Sequence, residues 1–253
     1  MANKSSIEWT QATWNPTTGC TKISQGCKNC YAATLSKRLK AMGIRKYRND
    51  FKLTQHEDEI DLPLHWKRPR MIFVNSMSDL FHEDVDMEFI GRCFYTMIKA
   101  DYHIYQILTK RPQKMTEFSK MFLKYFGFSI PAHIWMGVSV EDNDTRWRIA
   151  ELERTECTMR FVSFEPLLGM IDSVRLHKIN WAIIGGESGH HYRKVDGKWV
   201  RDLIAQCVKQ DVPVFFKQWG GPRPKSGGRT IDGRTYDEFP NLNGSKQIHK
   251  ELM

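Results

Sequence analysis

Cys20, Cys27 and Cys30 fall within eleven residues of one another, in the stretch Gly-Cys-Thr-Lys-Ile-Ser-Gln-Gly-Cys-Lys-Asn-Cys-Tyr at 19–31. Three thiols this close suit a soft metal. Three thiolates can hold a [4Fe–4S] cluster with one iron left open, and the two-residue gap between Cys27 and Cys30 lets neighbours reach two corners of one cube. Gly19 and Gly26 permit the turns that wrap a loop around it. A structural zinc ion would need a fourth ligand. None lies inside the loop, and His56 or His65 would have to supply it from a distance. A disulfide would leave one of the three cysteines over. Cys93, Cys157 and Cys207 stand alone in apolar or helical patterns and read as small buried hydrophobes.

A second group of polar residues recurs just after short apolar runs. Asn75, Ser76, Ser78, Asp79 and His82 follow the run at 71–74, Lys110 follows 104–108, and Ser139 closes 134–140. Glu165 follows 159–164, the stretch Gly185, Gly186, Glu187, His190 and His191 follows 181–184, and Lys217 and Trp219 follow 214–216. A buried carboxylate must be paired, hydrogen-bonded or protonated. Glu165 and Glu187 are therefore candidates for a ribose hydroxyl, a substrate amine or proton transfer. Asp79 suits an amine through a charge-assisted hydrogen bond, or else caps a turn. His82, His190 and His191 titrate near neutrality and could act as general acids, with capping or surface roles as the alternative. Lys217 beside Trp219 suits a phosphate and a stacked base, and core packing is the other reading. Gly185 and Gly186 let the chain pass close to a ligand.

The elements that must position these groups follow a steady rhythm. After a strand expected near 7–14 and a helix at 31–42 stopped by Gly43, each apolar run alternates with an amphipathic stretch. Helices are expected at 86–99, 112–126, from an Asp144 cap to 155, and at 199–210. This is the pattern of βαβ units and a parallel sheet. The expected fold is α/β, a partial (β/α)6-7 TIM-like barrel of parallel strands with an N-terminal cluster-binding loop. In such folds the carboxyl ends of the strands bind ligands. The segment 44–70 reads as an exposed excursion. The chain divides into a barrel over 1–219 and a basic, Gly/Pro-rich lid or tail over 220–253.

Among the 253 residues, 38 lysines and arginines face 29 acids, a net charge of +9. The basic residues concentrate at 37–52, 65–70, 108–114 and 217–234, which favours polyanionic partners or provides a solvated basic surface. No apolar run reaches membrane-spanning length, and the first residues lack the apolar core of a secretory leader. A cytoplasmic protein with reduced thiols is expected.

The motifs as a set are specific. They are Ile-Glu-Trp-Thr at 7–10, Trp-Asn-Pro-Thr-Thr-Gly-Cys at 14–20, Asn-Cys-Tyr-Ala at 29–32, Met-Ser-Asp-Leu-Phe-His at 77–82, Leu-Thr-Lys-Arg-Pro at 108–112, Gly-Val-Ser-Val-Glu at 137–141, Phe-Glu-Pro-Leu-Leu-Gly at 164–169, Gly-Gly-Glu-Ser-Gly at 185–189 and Phe-Lys-Gln-Trp-Gly at 216–220. Through them the chain resembles the radical S-adenosylmethionine (SAM) superfamily, and more closely the radical-SAM-like three-cysteine-motif proteins of bacteriophages and mobile elements. The resemblance implies a [4Fe–4S] cluster on Cys20, Cys27 and Cys30, with SAM chelated at the open iron. It further implies reductive cleavage of SAM to abstract hydrogen from a substrate, and an electron donor such as flavodoxin or ferredoxin. It places Tyr31 against the adenine, and Asn75, Ser76, Ser78 and Asp79 near the SAM amino group. A more distant likeness to spore photoproduct lyase gives Lys110 and Ser139 the SAM carboxylate. The first cysteine gap is six residues here, against the commoner three.

Three functions are open to these residues: a radical SAM enzyme on a nucleic acid or nucleotide, one on a peptide or small metabolite, and a non-catalytic nucleic-acid-binding protein stabilised by zinc or a cluster.

Overall fold

The computed structural model describes residues 5–241. Seven parallel strands form one curled, half-barrel sheet: β1 (Ala12–Trp14), then β4 (Met71–Val74), β5 (Ile104–Thr109), β6 (Ile130–Ser139), β7 (Cys157–Phe164), β8 (Trp181–Gly185) and β9 (Val214–Gln218), in that spatial order. A two-stranded antiparallel ribbon of β2 (Thr17–Thr18) and β3 (Thr54–Gln55) stands apart from the sheet. Between its strands lie the cysteines and α1 (Tyr31–Ala41).

Helices α2 (Met87–Lys99), α3 (Pro112–Phe126), α4 (Trp147–Glu153) and α5 (Gly197–Lys209) cover the convex face of the sheet. Their buried residues recur at three and four, as in Phe89, Ile90, Cys93, Phe94 and Met97 of α2, so each helix turns one apolar stripe to the strands. The start of α3 is set by Pro112 and its end by Gly127, which takes a φ of 76° and returns its N–H to the carbonyl of Leu123.

The opposite face shows why the sheet must curl. Its lower half is lined by Phe73, Ile104, Trp135, Met159, Phe161, Trp181, Ile183 and Phe215. Trp9 touches Phe73 of β4 at 4.6 Å and Trp181 of β8 at 6.3 Å, between ring centroids. Four strand spacings would separate those two by about 19 Å in a flat sheet. Wrapping brings them around one indole. The concave floor is thus an aromatic plug, and room for chemistry is left only at the carboxyl ends above it.

Several elements differ from the sequence expectation. The first strand is three residues long, because residues 7–10 turn (Thr10 N–H to Ile7 O, 3.3 Å) to place Trp9 inside the barrel. Asp144 does not begin α4. Asp142 caps a short 3-10 turn instead, in a reciprocal box with Thr145, and α4 starts only at Trp147. Residues 44–70 are less exposed than expected, since Tyr47, Ile60 and Pro63 are buried. The stretch after β9 returns antiparallel along that strand's free edge: Phe216 N–H meets Tyr236 O at 2.9 Å and Glu238 N–H meets Val214 O at 3.1 Å. Phe239 then stacks on Trp181 at 5.0 Å. Of the expected lid or tail at 220–253, the part after 241 lies outside the described residues.

Trp181 joins both halves of the floor and donates its Nε1–H to Glu238 O at 2.7 Å. Trp181→Ala is expected to destabilise the fold by about 3–5 kcal/mol, read as a lower urea midpoint with the slope of unfolding unchanged.

Candidate functional site

Side chains alternate along a strand, so the frame set by the floor aromatics fixes which residues face the mouth. Continuing from Trp135, Phe161, Trp181 and Phe215 places Ser139, Glu141, Ser163, Glu165, Gly185, Glu187 and Lys217 on the concave side at the carboxyl edge, while Asn75, with a φ of 60°, turns the chain just past β4. Most of the residues singled out in the sequence are therefore brought to one rim. Trp219 is not. It packs on Phe216 at 5.0 Å on the helical side and donates to Thr230 O at 2.9 Å.

The cysteine loop lies over this rim, held at four strand ends. At β4, Ser78 Oγ donates to Gly19 O (2.6 Å), Gly19 N–H to Met77 O (3.0 Å), and the Tyr31 hydroxyl to Ser76 O. Asn75 and the Ser76 hydroxyl bond Thr17 and Asn15, fixing the approach to the loop. At β5, Arg111 donates to Thr21 Oγ1 (2.8 Å) and lies 3.6 Å from Cys20 Sγ. At β6, Glu141 accepts from Ser24 Oγ (2.7 Å) and Gly26 N–H (2.9 Å). At β8, Glu187 accepts from Asn29 Nδ2 (3.1 Å), whose second bond goes to His191 O (2.7 Å). A Cβ on Gly26 would meet the Glu141 carboxyl carbon at 2.5 Å, so only glycine lets the loop seat this closely.

These partners account for several predicted site residues. Both oxygens of Asp79 are occupied, by Phe81 N–H, Thr109 Oγ1, Lys110 N–H and Arg111 Nη1. Lys110 Nζ is paired with Glu141. Glu187 is gripped by Arg193 as well as Asn29. His82 is buried, with Nδ1 accepting from Asp84 N–H (3.1 Å) and Nε2 against Thr21 Oγ1 (2.9 Å). Burial and then Arg111 hold its pKa below the usual imidazole range. His190 and His191 are exposed and face each other, with ring centroids 4.7 Å apart. Within the mouth itself, Glu165 accepts from Lys217 Nζ (3.1 Å) and Ser163 Oγ (3.2 Å). Gly185 leaves room for its carboxylate, which a Cβ would strike at 2.4 Å.

All six cysteines are unpaired, and Cys20, Cys27 and Cys30 are partly exposed. Burial, then the nearby Asp79, pushes the Cys20 thiol up to about 12. Burial acts the same way on Cys27, but backbone groups of Ile23 and Ser24 and the charge of Lys110 outweigh it and bring that thiol below its ordinary value. Among the described residues, no three histidine, cysteine, aspartate or glutamate side chains gather as ligands of one metal ion. His56 is bonded to Thr18 Oγ1 at 2.8 Å, and His65 is exposed. No helix among the described residues is long and apolar enough to cross a membrane.

Sequence reasoning missed Glu141, Arg111, Asn29 and Arg193. Glu141 was within reach: it follows its strand in the same frame as Glu165 and Glu187. The others announce nothing, because their roles depend on loops that meet only after folding.

A family model described as a protein of unknown function (DUF5131) matches residues 4–240. No curated protein and no solved structure matches the chain.

Glu141 is fully buried between Lys110 and Arg148. Burial raises its pKa, yet Lys110, Ser24 and the Gly26 N–H bring the net value below the ordinary 4.5. A folded-state pKa below the unfolded one contributes stability that is complete above the ordinary value and is lost as pH falls below it. Glu141→Gln is expected to cost about 3 kcal/mol at neutral pH by leaving buried cations uncompensated. Thermal melting between about pH 6 and about pH 3 checks the sign: the wild type loses stability more steeply on acidification than the variant.

Proposed function

Because the chain belongs to the DUF5131 family of proteins of unknown function, we propose its activity from the site itself: a radical SAM-type [4Fe–4S] enzyme that abstracts hydrogen from a nucleic acid or nucleotide. The observation that carries this reading is the single loop bearing three unpaired, partly exposed cysteines, fixed over the carboxyl rim of a curled parallel sheet. The donor set fits the group. By residue type, three thiols on one loop suit an iron–sulfur cube, which takes one cysteine at each of three corners, better than a single zinc ion; among the described residues they do not gather as ligands of one ion.

Cys20, Cys27 and Cys30 would hold the cluster, and the mouth beside them would hold SAM. When bound, these groups supply the one-electron cleavage that yields methionine and a 5′-deoxyadenosyl radical able to take hydrogen from a substrate. The chain's own residues do the rest. The lowered pKa of Cys27 favours a thiolate, whereas burial and Asp79 favour the neutral thiol at Cys20, whose proton ligation would have to displace. Tyr31, whose hydroxyl is anchored on Ser76 O, offers a fixed ring at the entrance for the adenine. The pair Glu165 and Lys217 offers a carboxylate and an ammonium on the same rim, suited to ribose hydroxyls and a ligand carboxylate. Ser139 shares that rim. Lys110 can reach a SAM carboxylate only by sharing its ammonium with Glu141, and Asp79 has no acceptor capacity left over for the amino group. The aromatic floor closes the barrel below and keeps water from approaching from that side.

Anaerobic reconstitution tests the proposal. The expected outcome is a brown protein with about four irons and four sulfides per chain, releasing 5′-deoxyadenosine when reduced with SAM. Alanine at Cys20, Cys27 or Cys30 abolishes both the colour and the release. A colourless protein holding one zinc overturns it.

A further inference from the structure

The net charge of +9 is not spread over the chain. Residues 21–52 carry nine lysines and arginines against a single acid, Asp50. This stretch is one excursion of the chain, seated on Met77 through Ala32 and Tyr47. It leaves the barrel through β2, returns through β3, and is tied at its base by the Cys20 N–H to Phe51 O bond of 3.1 Å.

Two of the other basic concentrations, 108–114 and 217–234, are largely spent within the chain, whereas Lys67 and Arg68 of 65–70 are exposed and meet no acidic partner among the described residues. Lys110 and Arg111 turn to Glu141 and Asp79, and Lys114 donates to the carbonyls of His82, Glu83 and Val85. Lys217, Arg229 and Arg234 each meet a carboxylate. By contrast Lys28, Lys37, Arg38, Arg45, Arg48 and Lys52 are exposed and meet no acidic partner among the described residues. Asp50 is taken up by Lys40 at 4.0 Å and Ser36 at 3.5 Å.

We infer that the solvent face of this excursion is a docking surface for the phosphate backbone of a nucleic acid, which it leads toward the mouth; the inference rests on the nucleic-acid reading proposed above. Position supports it. The 11 residues of α1 run about 16 Å from Tyr31, beside the last cysteine, and carry Lys37, Arg38 and Lys40. That length faces roughly five phosphates of one duplex strand at about 3.4 Å each. Tyr31, at the inner end of the helix, is fixed by its hydroxyl on Ser76 O, so the row of cations begins beside the mouth. An acidic protein is the other polyanion to consider. Six of the nine cations are lysines, a residue depleted at protein–protein interfaces and well suited to phosphate as a point charge.

The test compares two variants of the full chain that lose the same charge. In one, Lys37, Arg38, Arg45 and Arg48 are replaced by Gln. In the other, Lys120, Lys124, Lys178 and Lys209, exposed elsewhere, are replaced by Gln. Fluorescence anisotropy with a labelled single strand of about 20 nucleotides, and with its duplex, is followed from about 50 to about 200 mM KCl, where phosphate binding is most salt-sensitive. The excursion variant is expected to bind at least about tenfold more weakly at 100 mM. Its salt slope becomes shallower, by about 0.7 for each phosphate no longer neutralised on the single strand and about 0.9 on the duplex. The second variant stays within about twofold of the wild type. Equal weakening of both variants, or a wild type that binds neither probe, overturns the inference. Circular dichroism checks folding, and the single changes Arg38→Gln and Arg45→Gln, each worth about twofold to threefold, carry the test if the combined variant misfolds. Binding is read without SAM or reductant. A protein that binds through the excursion yet cleaves no SAM therefore refutes the enzyme reading and leaves the surface standing.

Discussion

Two buried carboxylates hold the molecule's working parts together. Glu141 and Glu187 lie at the ends of β6 and β8, and each accepts from the cysteine loop on one side and from cations of the barrel on the other. Taking a carboxylate out of water is costly unless every lone pair finds a donor. The barrel alone supplies only part of those donors, and the loop alone has no fixed shape. Each is satisfied only when the other is in place. The loop's geometry is thereby made a property of the whole sheet rather than of its own few residues.

The curl of the sheet has a related consequence. Trp9, Trp135, Trp181, Phe161 and Phe215 fill the concave floor, where Gln106 is buried among them with its amide bonded to Trp9 O, and most polar residues of the same alternating frame stand at the rim. Glu165, Ser163 and Lys217 are the members of that frame that turn to one another across neighbouring strands rather than to the loop. They form the part of the rim still open to a ligand. Gly185 contributes by absence: any side chain there would collide with the Glu165 carboxylate.

The βαβ rhythm, the strands from 71 onward and the concave placement of the rim residues were legible in the sequence because they rest on local periodicity and on alternation that a strand cannot evade. What escaped depends on distance along the chain. The β2–β3 ribbon has two residues per strand and no periodic signal, so the cysteine stretch read as a simple loop rather than a stemmed excursion. Trp9 looked like part of a first strand, since nothing local says that its ring will meet Trp181, far along the sequence. His82 and Asp79 carry residue types suited to ligand chemistry, and nothing local in the sequence foretells their bonds to Thr21, Thr109 and Arg111.

Charge is where sequence and structure part most instructively. Four basic stretches look equivalent when counted, and a net field says only that some polyanion is favoured. Folding separates them: cations next to a strand's carboxyl end meet the carboxylates that also end strands, whereas on the excursion only Lys40 and Lys46 meet an acid, Asp50 and Glu59. Lys110 and Lys217 show the first case, and Arg38 and Arg45 meet no acidic partner among the described residues. A surface with one acid over some thirty residues carries an electrostatic self-repulsion that the pairs Lys40–Asp50 and Lys46–Glu59 relieve only in part. Its persistence beside the cysteine loop is accounted for when an external anion supplies the missing charge, and the same loop then couples that anion to the rim through Glu141 and Glu187.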